Sequence, residues 1–485
     1  MVGGEKSFYE SGNDRDSRLA SLVRTIVNEP GGFEWISRFV PYLRKEANMR
    51  TAPIVIAAEA AHAKLKSGRA AGGEYTVRKL VASCIGRADE FAEFIGYWRM
   101  EFGRTLPGGV QRGLADAFSA TINEYTALKY DGENRPIRLG DVVEILHPTP
   151  SDPIQSDLFR YLLDRRHHPK AVRVNLDRLS MVKYRNWMYS LSPEKRNIAA
   201  ASGNFSEVLG DAGMTWENVS SYLGRELNAH DWEALIPNMG YMALLRNLRN
   251  FDSAMVPDRV AEKVASRLCD PEQVRRSKQF PYRFYTAYRN TKSTFRWAHA
   301  LSKALDLSTE NIPVLDGRTL VLVDTSGSMQ APVSQRSSVQ YVDVAALFAS
   351  AVEARNRGRV DVVAFATEAM PVTFPNPNVL ANVDMIRAGV GEVGYGTNVM
   401  SGVKYFSGHD RIVIFSDMQD VGGYVMRGWL RGVPDVVTYS FNLAGHKVGY
   451  VNPENPNKYI LSGFSDSAFK MMSMVERGKD QDWPF

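Results

Sequence analysis

The 485-residue sequence predicts two architectures in one chain: an all-α part of stacked helix pairs over residues 1–310, then an α/β doubly wound domain over residues 311–485. Three observations carry this reading. Helix starts and stops with recognisable chemistry recur up to about Ser302, the hydrophobic period shortens after Leu315, and the charge balance shifts between the two parts. Length points the same way, because single hydrophobic cores stop growing at about 250–300 residues.

In the first part, Thr51 with Pro53 opens an apolar-periodic run through Ile54, Ala58 and Ala61. Ser192-Pro193-Glu194 and Asp270-Pro271-Glu272 each set a capping side chain before a proline and an early acid. A helix N-terminus suits all three residues, since its unpaired N–H groups and positive dipole end favour oxygen and negative charge. Many helices with short connections and no strict period imply divergent repeats, as in α-solenoids. After Leu315 the sequence reads as short apolar strands at Arg318–Val323, Val360–Phe365, Ile412–Phe415 and Val436–Phe441, with a helix over Val339–Arg355. Strands alternating with helices call for a parallel sheet covered on both faces.

The first strand delivers Asp324-Thr325-Ser326-Gly327-Ser328, where loops at the carboxyl ends of strands collect ligands. A carboxylate and two hydroxyls spaced by two aim oxygens to one side of a tight loop. Downstream, Thr397 stands in the glycine-rich Gly394-Tyr395-Gly396-Thr397-Asn398, and Asp417 ends the Ile412–Phe415 strand. Oxygen ligands with few carboxylates suit a hard cation kept partly hydrated, so Mg²⁺ is expected, with Mn²⁺ as the other candidate and zinc disfavoured. The set resembles the metal-ion-dependent adhesion site of von Willebrand A domains. That resemblance implies Ser326, Ser328 and Thr397 on the ion, with Asp324 and Asp417 bound directly or through water. The structural alternative is a degenerate loop cluster in which these side chains only bond to one another.

Enzyme classes fit less well. A haloacid-dehalogenase phosphatase wants a second aspartate where Ser326 stands, and an aspartic protease wants Asp-Thr/Ser-Gly, which a serine interrupts. Neither a phosphate loop ending in Gly-Lys nor a Gly-x-Ser-x-Gly elbow occurs, and no nucleophile–base pair is identifiable, so the chain is expected not to be an enzyme. Two cysteines, Cys84 and Cys269, without zinc spacing, fit core residues of a protein in a reducing cytoplasm. No apolar run is long enough to span a bilayer.

The net charge of +5 is uneven: residues 1–310 carry 44 basic against 37 acidic residues, while residues 311–485 carry 15 against 17. That asymmetry points to a polyanionic partner for the first part. Its basic residues cluster as Arg160, Arg165, Arg166, His167, His168, Lys170 and Arg173, then Arg246 and Arg249, then Arg275, Arg276, Lys278, Arg283, Arg289, Lys292 and Arg296. The last group interleaves with Phe280, Tyr282, Phe284, Tyr285 and Tyr288, which read equally as base-stacking rings or as core aromatics.

The stretches Arg104–Phe118, Leu128–Pro150, Trp232–Ile236 and Ala243–Asn250 resemble the TROVE module of the Ro autoantigen family, whose members also end in a von Willebrand A domain. The resemblance covers nearly the whole chain in the same order. It implies a ring of HEAT-like helical repeats with small noncoding Y-like RNA on its outer surface. Single-stranded 3′ ends of structured or misfolded RNA would enter the central hole, in a role in noncoding-RNA quality control. It places the Y-RNA site at Lys129, His147 and an arginine between them, either Arg135 or Arg138, which one extra residue leaves unseparated. It also implies tethering of an exoribonuclease such as polynucleotide phosphorylase. The alternative is a metal-dependent protein-interaction scaffold without an RNA ligand.

Overall fold

The computed structural model describes residues 12–485 apart from 69–72, 169–172, 292–293, 336, 376, 420–431, 446–450, 453, 464–466 and 480–481. Lys170 and Lys292 lie outside the described residues. The main division into two compact units falls between Met239 and Gly240. The change from helices to strands comes later, after the short 3-10 turn Thr309–Asn311. The helices between Tyr241 and Ser308 therefore belong to the same compact unit as the sheet.

The unit before Gly240 consists of helices and their connecting loops, with no strand among its described residues. Helix Thr51–Lys66 begins at the expected threonine, and Ser192 caps its helix through the Lys195 amide at 3.4 Å. A core runs from Val23 to Val182 and includes Phe91, Phe94, Trp98, Phe118 and Cys84. Cys84 is buried, and that burial pushes its thiol pKa up, as suits an inert core residue. Helix Leu139–Leu146 lies so close to helix Pro153–His167 that a Cβ on Gly140 would stand 2.6 Å from the Leu162 carbonyl oxygen. Glycine there permits the helix approach that fixes the segment between Tyr130 and Pro148.

The unit after Gly240 joins the five α-helices between Tyr241 and Ser308 to a six-stranded sheet that carries further helices of its own. Its strands are β1 (Thr319–Asp324), β2 (Val360–Phe365), β3 (Ala369–Val372), β4 (Arg411–Ser416), β5 (Val437–Asn442) and β6 (Lys458–Ser462). Their order is β3-β2-β1-β4-β5-β6, parallel except for β3, which pairs antiparallel to β2. All six residues of β1 are buried, as the continuous apolar run requires of a strand covered on both faces. Leu320 and Leu322 pack with Val399, Val403, Ile412 and Ile414 on one face. On the other side of the sheet Phe348, Phe415, Phe441 and Phe469 form a ring cluster with centroids 4.8–6.3 Å apart. Helix Tyr341–Arg355 starts with a reciprocal cap between Gln340 and Asp343.

Two strands escape the sequence reading, for physical reasons. Four-residue β3 contains Pro371, which removes a ladder donor and confines such a strand to an edge. Its partner turn is only three residues long, so it returns antiparallel and the sheet is mixed. β6 is the other edge, and its short run Lys458-Tyr-Ile-Leu-Ser462 lacks a clear period. Polar contacts tie helix Thr294–Ser308 to the start of helix Val379–Ala388 in this unit. The Asn378 side chain donates to Ser302 at 2.7 Å and to Asp306 at 2.8 Å, and Asp306 also accepts the Val379 amide. Among the described residues, no helix is long and apolar enough to cross a membrane.

Candidate functional site

The sheet changes direction between β1 and β4, and the candidate metal ligands gather at that point, where doubly wound folds place ligands. Asp324 ends β1, fully buried; its Oδ1 accepts the Ser326 backbone N–H at 2.9 Å and its Oδ2 accepts the Ser416 hydroxyl. The Ser326 and Ser328 hydroxyl oxygens stand 3.3 Å apart. Gly327 donates to the Tyr395 carbonyl at 2.9 Å, which ties this loop to the loop of Thr397. That second loop is shaped by Thr367, whose hydroxyl accepts the Gly396 N–H at 3.0 Å. Gly394 has φ +86°, and a Cβ there would lie 2.6 Å from the same hydroxyl, so only glycine fits. Thr397 and Asp417 are both buried, and Asp417 steers its Oδ1 to the Gln419 amide at 3.0 Å.

Burial above all, with a smaller push from the neighbouring Asp417 charge and against hydrogen bonds from Ser326 and Ser416, raises the Asp324 carboxyl to about 7. Among the described residues no Lys, Arg or His forms an ion pair with Asp324 or Asp417. Two buried carboxylates that repel each other beside three hydroxyls are the environment a divalent cation would relieve. The donor set is all oxygen, and no group of three His, Cys, Asp or Glu side chains gathers among the described residues. These residues fit Mg²⁺ or Mn²⁺. Ser416 is the site residue that the sequence reading passed over. Its hydroxyl both donates to Asp324 and accepts the Met418 amide, and a serine directly before the expected ligand Asp417 was the available signal.

The four residues expected to meet RNA divide into two kinds. Lys129 is exposed on helix Glu124–Tyr130, with Nζ 5.4 Å from the ring centres of both Tyr125 and Tyr130. Arg87 lies 5.1 Å over the Tyr130 ring, so aromatic and cationic groups alternate there. His147 is exposed and caps helix Leu139–Leu146 in the left-handed region, φ 48° and ψ 55°. Arg135 is exposed in the loop between these helices. Arg138 is buried, with its guanidinium 2.9 Å from Asp131, so it holds the loop and Arg135 is the arginine that faces solvent.

Asp131 is the anchor of this loop. Besides Arg138 it accepts the Leu139 amide at 2.9 Å and meets Arg165 at 3.3 Å. Asp131→Ala leaves the buried Arg138 charge without its carboxylate, and breaking a buried pair in this way costs about 3–5 kcal/mol. Urea denaturation is expected to show that loss, and a midpoint like that of the parent chain would contradict the anchoring role.

Other basic clusters are largely engaged. Arg166 pairs with Asp141 at 2.7 Å, His167 meets Glu144 at 2.7 Å, and Arg275 and Arg276 share Glu272. Phe280, Phe284 and Tyr285 are buried and belong to the core, whereas Tyr282 and Tyr288 are half-buried.

Residues 211–354 match the TROVE domain model. No curated protein matches the sequence. The fold is similar to that in the crystal structure of the Ro (RSR) protein of Deinococcus radiodurans, with a TM-score of 0.72 at 14% identity. The similarity covers 99% of this chain and 96% of that one. Trp232–Ile236 and Ala243–Asn250 lie inside the matched stretch, whereas Lys129–His147 lies before it. Residues 211–354 thus carry a match to the TROVE domain, and the chain as a whole shares the fold of that Ro protein.

Proposed function

We propose that this chain is a non-enzymatic RNA-binding protein that takes small structured, Y-like noncoding RNA on the surface bearing Lys129, Arg135 and His147. In the same reading it accepts single-stranded ends of misfolded RNA and serves noncoding-RNA quality control, with an exoribonuclease as a tethered protein partner. The Ro-type fold supports RNA as the ligand. The observation that carries the site is His147. A non-glycine residue at a left-handed helix end costs roughly 1–2 kcal/mol that glycine avoids, which argues that the imidazole is kept for what it contacts.

Lysine and arginine supply phosphate contacts here, while histidine stacks on or donates to RNA. The metal centre at Asp324, Ser326, Ser328, Thr397 and Asp417 holds Mg²⁺ or Mn²⁺ and offers an open face to a carboxylate of a protein partner. Titration with a small stem-loop RNA at rising salt tests the reading. Affinity is expected to fall steeply as each neutralised phosphate releases counterions. A salt-independent affinity would speak against a phosphate-binding surface.

A further inference from the structure

We propose that the outward face of helix Ser180–Ser190 is a platform on which unpaired bases of single-stranded RNA stack, beside the phosphate-binding Lys129. The proposal rests on the RNA-binding reading above and names the part of the RNA that this surface takes.

The helix sequence Ser180-Met-Val-Lys-Tyr-Arg-Asn-Trp-Met-Tyr-Ser190 turns Val182, Arg185 and Met188 inward. Lys183, Tyr184 and Trp187 stand three and four residues apart and so share the opposite face. Tyr184 and Trp187 are 45% and 49% exposed and lie next to each other on that face. Among the described residues neither ring packs on another ring.

Charge selects the occupant. Residues 177–200 contain five basic side chains, Arg178, Lys183, Arg185, Lys195 and Arg196, against two acids, Asp177 and Glu194, and Arg178 meets Asp157 at 3.2 Å. Arg185 is buried beneath the face and donates to the carbonyls of Ala212 at 2.9 Å, Leu128 at 3.0 Å and Gly213. Carbonyl oxygens leave its positive charge in place, where a carboxylate would cancel it. Lys183 meets Asp177 at 3.2 Å, but both are well exposed, a pair that a phosphate can displace.

The same arginine links the platform to the RNA surface, since Leu128 immediately precedes Lys129. Met181 and Tyr125 both cover Gly213, so the ring that flanks Lys129 lies beside the first turn of the platform helix. Open aromatic faces within a basic field are what single strands use. Duplex RNA keeps its bases stacked in pairs and offers no free face to these rings. A protein partner would want a wider apolar patch than two rings set among Lys183 and Asn186.

Three probes test this with the full chain: an oligoadenylate of about a dozen nucleotides, an abasic phosphodiester of equal length, and a blunt RNA duplex. The chain is expected to prefer oligoadenylate over the abasic oligomer. That preference should shrink by about fivefold or more in Trp187→Ala and in Tyr184→Ala, and Trp187→Phe should restore most of it. Circular dichroism melts verify that each variant is folded. A preference unchanged in both alanine variants, or equal binding of oligoadenylate and the abasic oligomer by the parent chain, overturns the platform while leaving structured-RNA binding intact. Failure of the parent chain to bind any RNA, structured or single-stranded, would remove the RNA-binding reading and the platform together.

Discussion

Asp324→Asn is expected to abolish stabilisation by Mg²⁺ while leaving the apo protein at least as stable as the parent. Asparagine keeps the shape of the side chain that meets the Ser326 amide and the Ser416 hydroxyl. It removes the buried charge that Asp417 repels, so apo stability does not suffer. In the parent chain, a cation at about a hundred times its Kd adds roughly 2.7 kcal/mol to the folded state. For a unit of this size that is a rise in Tm of roughly 5–10 °C. Melts with and without Mg²⁺ measure the difference. A metal-dependent rise retained in the variant would place the cation elsewhere. Because the metal ligands and Lys129 belong to different compact units, stem-loop RNA affinity is expected to stay within about twofold of the parent.

Lys129→Ala and His147→Gly are expected to weaken stem-loop RNA binding together by an order of magnitude or more. A single phosphate contact with a salt slope near 0.9 is worth about fivefold at 0.15 M salt, and its loss should lower the slope by about one. His147→Gly removes the imidazole and relieves the left-handed backbone at once, so its stability should hold or rise slightly while affinity falls. Lost affinity with undiminished stability is the mark of a binding residue. Equal affinity in the folded double variant would move the RNA surface elsewhere. Arg135→Ala should behave like Lys129→Ala, whereas Arg138→Ala should act through stability, because Arg138 is committed to the buried Asp131.

Much of the fold was legible because its signals are local. Strand β1 announces itself by an unbroken apolar run, and the Ser192 and Asp270 caps form as their chemistry requires. Asp324 and Asp417 meet because Asp324 ends β1 and Asp417 directly follows β4, two neighbouring parallel strands. The grouping of helices Tyr241–Ser308 with the sheet was not legible, since it depends on long-range contacts such as Asn378 with Asp306. Nor could the sequence separate Arg135 from Arg138, which differ in burial and not in kind. The arginine- and aromatic-rich stretch from Arg275 to Tyr288 was ambiguous for the same reason, because pairing with Glu272 and burial of Phe284 and Tyr285 are set by packing.

The most direct test of the account is to purify the chain from its own host and sequence the RNA that comes with it. The account predicts enrichment of one or a few small structured RNAs, strongly reduced when Lys129→Ala and His147→Gly are combined. Protein free of enriched RNA at low salt, or an RNA set unchanged by that double substitution, would contradict it.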